Sequence, residues 1–477
     1  MSTNQRLQRK KAMIIESVTS FFGTLMPTVL LAAGVIIGAK LRFFYIFHPI
    51  KAFRLMFTQK HDGISPIRAA SMALAGTLGV GNITGVTAAI AAGGAGAVFW
   101  MWCSAIVAMS VKYAETALAV RFRRQNRDGF YGGAPFYIKD GLRGKLGAKL
   151  GAGFAVLCVI NSITVGNILQ VNAAARSAEL ALGIPCIVTG VVSAVLTAMI
   201  VSGGARRISS LTVKLIPAIS LLYIFMCTAV IFGHSELIGA VTHRIFDEAF
   251  DFSSAAGGIG GFAVSRAVRY GVTRGVLTNE AGSGTSPTAH ACADSASPTA
   301  QGCLGIFEVF ADTIIICSFT AYAVLIGEEI GIPASEDAID SVSKLFFSVF
   351  GAYSAPMLVL VIFVFVFATL ISQFYYGKTA IAFFKSKRSL SRAYLIIFTL
   401  SSAVGSVMLP KLMWQLSDLT VCIMTVINTV CLLVMTKEIA ACTDTTFGRG
   451  KLCRRDRKSP RSTPSCINSE NSAKSLH

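Results

Sequence analysis

From about residue 18 to residue 436 the chain alternates long apolar blocks with short polar stretches. Block by block, this predicts about eleven membrane-crossing helices, near 18–40, 69–92, 96–121, 149–175, 184–203, 210–233, 255–285, 302–327, 353–377, 392–409 and 413–436. Blocks such as FFGTLMPTVLLAAGVIIGA (21–39) and APMLVLVIFVFVFATLI (355–371) meet or approach the roughly 20 apolar residues that carry a helix across a bilayer. Two blocks are interrupted by glycine and small polar residues: GTLGVGNITG at 76–85 and TNEAGSGTSPTAH at 278–290.

With the first span set aside, ten remain. Five lie in 69–233 and five in 255–436, in similar lengths, as in an inverted repeat, and each half opens on one of the interrupted blocks. Paired, interrupted helices in corresponding positions point to a transporter's binding site near the bilayer midplane. An unwound turn strands backbone N–H and C=O groups, each costing several kcal/mol in hydrocarbon unless something satisfies it. A carboxylate at a half-helix N-terminus and a cation among loose carbonyls would do so. Gly76, Gly79 and Gly81 free the backbone there, and Thr77 and Asn82 add side-chain oxygens. The bland alternative is that these glycines serve only close helix packing, which suffices for AAIAAGGAGA at 88–97.

Composition agrees with a polytopic, all-α membrane protein: 53% of residues are hydrophobic and 14% charged, against about 25% charged in soluble domains. The net charge of +19 sits in loops and tails, so it reads as a topology signal rather than a nucleic-acid surface. The loops at 40–68, 121–149, 203–214 and 378–392 are basic, whereas 234–254 and 328–340 are acidic or mixed. The positive-inside rule then puts the C-terminus in the cytoplasm and the N-terminus outside, against the vote of Arg6, Arg9, Lys10 and Lys11. The division expected is a membrane domain over 1–437, with repeats at 69–233 and 255–436, and a basic, disordered cytoplasmic tail over 438–477. The first apolar run is too long for a signal-peptide core. The twelve cysteines form no CxxC pair or zinc spacing and read as small buried hydrophobes.

Enzyme motifs fail on detail. Gly76 to Asn82 has P-loop glycine spacing, but Asn82 and Ile83 stand where Lys and Ser/Thr are required. GSGTS at 282–286 is not a nucleophile elbow. No enzyme activity, cofactor, resident metal cluster or nucleic-acid partner is expected. Ionisable residues within spans need their own account. Glu115, one turn from Lys112, reads as a local pair. Glu280, inside the second interruption, either shapes the broken helix by accepting backbone N–H bonds or faces an ion path. Glu308 and Asp312 share one face of the eighth span, and pair with Arg266, Arg269 and Arg274 or relay protons.

The segments ALAGTLGVGNITGVTAAIAAGGAGAVFWMW and RGVLTNEAGSGTSPTAHACA, supported by SPIRAASMALAG, QGCLGIFEVFADTIIICS and FYYGKTAIAFF, resemble the signature segments of the alanine/glycine:cation symporter family. The resemblance spans roughly residues 15 to 437. It implies an eleven-helix carrier of the bacterial inner membrane, one helix preceding a leucine-transporter-type five-plus-five core, that imports alanine, D-alanine or glycine with sodium. It places the substrate carboxylate at the N–H groups around Val80 and Gly81, beside Gly79, with Thr77 and Asn82 nearby. Gln170 would face the substrate, and Thr278 and Asn279 would close the pocket around a side chain no larger than methyl. Sodium would draw on Ala75, Leu78, Phe365, Ala368 and Thr369. The chain departs from the family's pattern in the ninth helix, FVFATLISQFYYGK. There Ala368 stands for a hydroxyl residue, Gln373 for a tryptophan and Lys378 for a glutamate; Val80 and Ala95 depart elsewhere. The lost hydroxyl makes proton coupling through Glu308 or Asp312 the rival to sodium. A channel and a transporter-like nutrient sensor are the other classes to exclude. Membrane lipid surrounds the protein in either reading, and no residue pattern speaks to an oligomeric state.

Overall fold

The computed structural model describes residues 25–57, 63–126, 129–250, 259–294, 297–335, 337–384, 388–408 and 410–447. Each of the eleven expected spans coincides with a helix or a broken helix. The first is Leu25–Lys40, the second the bent pair Pro66–Thr77 and Gly81–Gly93, the third Gly96–Arg121, the fourth Gly144–Leu182 and the fifth Cys186–Val201. The sixth is Gly204–Gly233, the seventh opens with Ile259–Asn279 and the eighth is Pro298–Glu329. The ninth, tenth and eleventh are Ser354–Ala382, Arg388–Ser406 and Pro410–Val434. Among the described residues five helices are individually long and apolar enough to cross a membrane, or up to seven with the bent pairs. The other spans are shorter, or are diluted by charge as Ile259–Asn279 is by its three arginines.

Local sequence explains how the spans start. Ser65 accepts the N–H of Arg68 ahead of Pro66, and Ser297 accepts the N–H of Ala300 ahead of Pro298. Proline at the first helical turn loses no hydrogen bond, and the serine satisfies an otherwise orphaned donor. The third span lies against the seventh and eighth. The approach to the seventh needs two glycines: a Cβ at Gly271 would sit 2.2 Å from the Ala97 carbonyl, and one at Gly275 2.5 Å from Ser104 Oγ. In lipid, where no solvent drives helices together, such close small-residue seams supply the packing.

Three spans widen into a π turn near the bundle's middle, at Gly81–Gly85, Thr164–Ile168 and Phe310–Ile316. Extra residues of this kind re-aim the side chains on either side and are frequent at functional sites.

The expected tail begins too early. Thr436–Phe447 is helical, turned 66° from the eleventh span. It docks on the bundle through Tyr113 Oη to Thr443 Oγ1 (2.8 Å), through the Thr299 hydroxyl donated to the Cys442 carbonyl (2.8 Å) and through an Arg121–Glu438 ion pair. Ile439 and Cys442, buried on its inner face, give it an apolar stripe that the surrounding polar residues mask in composition. Residues 448–477, and the N-terminal residues 1–24 with their basic cluster, lie outside the described residues.

Candidate substrate and ion site

The first broken helix stops at Thr77, where Leu78 turns extended at φ −72°, ψ 93°, and resumes at Gly81. The two halves meet at 55°. Its loose groups find neutral partners. The Gly79 N–H donates to Asn82 Oδ1 at 3.2 Å, and the Val80 N–H to Gln170 Oε1 of the fourth span at 3.3 Å. The Leu78 carbonyl accepts the Thr369 hydroxyl of the ninth span at 3.3 Å. Gly79 is required by space: a Cβ would stand 2.8 Å from Gln170 Oε1.

The second break follows Asn279. Glu280 takes a left-handed φ of +49°, unusual for a residue with a Cβ, and the short helix Pro287–His290 follows. The Glu280 carbonyl accepts the N–H and hydroxyl of Ser283 at 3.2 and 2.7 Å. Its carboxylate accepts the Thr285 hydroxyl and, at 3.2 Å, the Gln373 amide of the ninth span. The Glu280 carboxylate thus ties side chains across the break rather than collecting backbone N–H groups, the first of the two roles expected from sequence, and it lines the cavity between the two breaks.

The two breaks face one another. A Cβ on Gly81 or Gly85 would meet only the Thr278 methyl, at 4.0 and 3.8 Å. Between them lies a cavity of about 100 Å³ walled by Val80, Gly81, Gln170, Thr278 and Glu280 and continuing to Asn161 and Ser417. Thr84, Gly85 and Arg274 also line a wider space of about 500 Å³ whose rim includes Arg176 and Asp337, paired at 2.7 Å. That rim belongs to the end of the bundle bearing residues 183–185 and 331–335, opposite the basic loop at 129–149.

Of the residues expected to touch substrate, Val80, Gly81, Gln170 and Thr278 line this cavity and Gly79 sits directly behind it. Three others turn away. Thr77 folds its hydroxyl back onto the Leu74 carbonyl at 3.2 Å. Asn82 donates to Asp312 at 2.7 Å, and Asn279 to Thr313 at 3.1 Å. The cavity also runs past Thr278 towards Asn161, so the methyl-sized limit is not drawn by the second break.

Of the residues expected around sodium, Leu78, Phe365 and Thr369 converge: the Thr369 hydroxyl reaches the Leu78 and Phe365 carbonyls at 3.3 and 3.0 Å. Ala75 and Ala368 are fully buried alongside and have only carbonyls to offer. No group of three or more His, Cys, Asp or Glu side chains is arranged as a metal cluster among the described residues. Oxygen donors of this neutral kind suit a hard alkali cation rather than a transition metal.

The buried charges form a connected set that does not involve the arginines of the seventh span. Lys112 reaches Ser286 Oγ at 2.7 Å, Glu308 at 3.3 Å and Glu115 at 3.6 Å, all fully inside the protein. His290 links Glu308 at 2.9 Å to Gln301 at 2.8 Å, and Asn428 donates to Glu115 at 3.0 Å and to the Gly282 carbonyl at 2.9 Å. Arg266 instead donates to the Ala92 carbonyl, and Arg274 lines the cavity. Asp312 stands apart from Lys112, held by Asn82 and, at 2.9 Å, by its neighbour Thr313. Sequence reasoning missed Asn161, Ser417 and His290. Only an isolated asparagine in the run VLCVINSITV hints at the first.

Residues 8–456 match the family model described as the sodium:alanine symporter family. A Bacillus subtilis protein named "Probable sodium/glutamine symporter" is 32% identical over 419 residues, covering 87% of this chain and 86% of that one. A Methanococcus maripaludis protein named "Sodium/alanine symporter" is 30% identical over 437 residues, covering 90% and 95%. Among solved structures, a manganese transporter from Eremococcus coleocola shares the fold, with a TM-score of 0.52 at 12% identity over 77% of this chain and 76% of that one.

Proposed function

The chain belongs to the sodium:alanine symporter family, and we propose that it imports small neutral amino acids (alanine, D-alanine, glycine) together with sodium by alternating access. It is a membrane-embedded amino acid transporter, not an enzyme, built as one helix followed by a leucine-transporter-type core of five plus five spans.

In this reading the substrate carboxylate sits at the N-terminus of Gly81–Gly93, where the Val80 and Gly81 N–H groups and the helix dipole favour negative charge. The Val80 N–H exchanges Gln170 for the carboxylate, and Gln170 is freed to hold the ammonium or the second carboxylate oxygen. Sodium sits where the Leu78 and Phe365 carbonyls and the Thr369 hydroxyl meet, completed by the Ala75 and Ala368 carbonyls. Because Leu78 and Val80 belong to one unwound turn, ion and substrate order the same few residues. That shared ordering is the physical basis of coupling: each ligand lowers the conformational cost of binding the other. The Thr369 hydroxyl lying between two carbonyls of different spans is the observation that carries the ion assignment.

Proton coupling has its own support in Asp312 and Glu280, carboxylates inside the span region that are hydrogen-bonded to neutral side chains. In this reading, with the positive-inside rule, the C-terminus lies in the cytoplasm of a bacterial inner-membrane protein and the wide rim at Arg176 and Asp337 faces outward. Uptake of labelled glycine, L-alanine and D-alanine into proteoliposomes, under a sodium gradient or a proton gradient, tests the reading. Accumulation driven by sodium alone supports it. Accumulation driven by protons alone moves coupling to the buried carboxylates, and no accumulation of any of the three removes the substrate assignment.

A further inference from the structure

The inner end of the cavity holds polar atoms that neither the ion nor an alanine methyl satisfies. Asn161 and Ser417 both line it and are each only 2% exposed, and Asn161 Oδ1 and Ser417 Oγ have no hydrogen-bond partner. They come from different spans, the fourth and the eleventh, so no local backbone geometry accounts for their shared position. Gln373, whose amide is donated to cavity-lining Glu280, likewise leaves its Oε1 buried without a partner. Unsatisfied polar groups away from water are rare in native structures and costly. Two of them on the wall of one cavity, from two different spans, describe a site for a ligand group better than a packing defect.

We propose that Asn161 and Ser417 are specificity-determining residues that read the side chain of the transported amino acid, and that the side chain they fit best is a carboxamide, as in asparagine or glutamine. This rests on the reading that the cavity is the substrate site. The chemistry is complementary: a carboxamide offers two N–H donors and one carbonyl acceptor, while the wall offers the Asn161 amide oxygen and the Ser417 hydroxyl, which can donate. The geometry agrees. Asn161 precedes Gln170 by nine residues on the same span, with the π turn Thr164–Ile168 between them, so the two are on the order of 10 Å apart along the axis. A carboxylate held at the Val80 end therefore leaves a methyl short of Asn161, whereas a longer polar side chain extends towards it. The cavity could instead hold several waters; that is the outcome the experiment must separate.

The test uses the full-length protein in proteoliposomes, with labelled L-alanine uptake as the common readout. Unlabelled L-asparagine and L-glutamine are compared as competitors with L-leucine, which matches asparagine closely in shape but has no polar side-chain atoms. Competition by the amides about tenfold or more stronger than by leucine supports the proposal. Amides no better than leucine, with alanine uptake intact, overturn it: the inner wall is then a water site and the transporter reading stands. Absence of any alanine uptake, with labelled asparagine and glutamine also excluded, overturns both. Asn161→Leu and Ser417→Ala complete the test. The ratio of labelled glutamine to labelled alanine uptake should fall about tenfold in either variant. A purely structural role would lower both together and leave the ratio unmoved, which counts against the proposal.

Discussion

The two broken helices solve one physical problem with different chemistry. Around residues 78–80 the stranded groups are met by neutral side chains, Asn82, Gln170 and Thr369, at 3.2 to 3.3 Å. Around residues 280–290 the backbone is tied into buried charge: Ser286 to Lys112, Lys112 to Glu308 and Glu115, and Gly282 through Asn428 to Glu115. A neutral hydrogen bond contributes about 0.5–1.5 kcal/mol net and can be exchanged for one to a ligand. A buried ion pair is costly to break, because the abandoned charge stays in low dielectric. The first break is thus the one a ligand can reorganise, and the second is the frame it moves against.

The largest effect that tests this contrast is on folding. Lys112→Met leaves Glu308 and Glu115 without their cation and should cost about 3–5 kcal/mol. Removing a neutral tie at the first break, as in Gln170→Ala, should cost about 1 kcal/mol. Thermal melting of the purified proteins in detergent compares them directly. Equal losses would mean that the two breaks do not differ in rigidity.

Next in size is an effect on transport with little on folding. Gly81→Val places its Cβ in open space, 4.0 Å from Thr278, so the fold should accept it. Its branches project into the cavity where the substrate belongs. Uptake should fall on the order of a hundredfold while the melting temperature stays close to the parent's. Undiminished uptake by a folded Gly81→Val protein would sink the assignment of the cavity.

The same contrast explains what was legible in the chain beforehand. Spans follow from runs of apolar residues, and the breaks from glycines that have no business in a plain helix, so both could be read directly. Side-chain direction around a break could not. Asn82 and Asn279 look like pocket residues by position, yet each turns to the eighth span, because Asp312 and Thr313 lie behind the pocket. The buried charge network joins residues up to 313 positions apart, so Lys112 showed only its local partner Glu115. Asn161 and Ser417 are single polar residues in apolar runs, a pattern that close packing explains as readily as a ligand.

A smaller, sharper effect concerns the ion. Ala368 is buried one residue before Thr369, where a serine would add a hydroxyl to the oxygens around Leu78 and Phe365. If sodium is held there, Ala368→Ser should lower the sodium concentration for half-maximal uptake about three- to tenfold, the worth of one added ligand hydrogen-bond equivalent. A proton-coupled carrier would show no such shift, because its coupling groups lie elsewhere.

The smallest expected effect is at the C-terminus. Ending the chain after Phe447 keeps the docked helix with its Tyr113, Thr299 and Arg121 contacts, and uptake should be unchanged. Ending it after Met435 removes all three contacts and uncovers the bundle surface that Ile439 and Cys442 cover, which should lower the melting temperature by several degrees. The pair of truncations separates a structural segment from a signalling one. A carrier needs 436–447 for stability and not 448–477 for uptake. A nutrient sensor would instead lose its cytoplasmic output with the basic residues beyond 447.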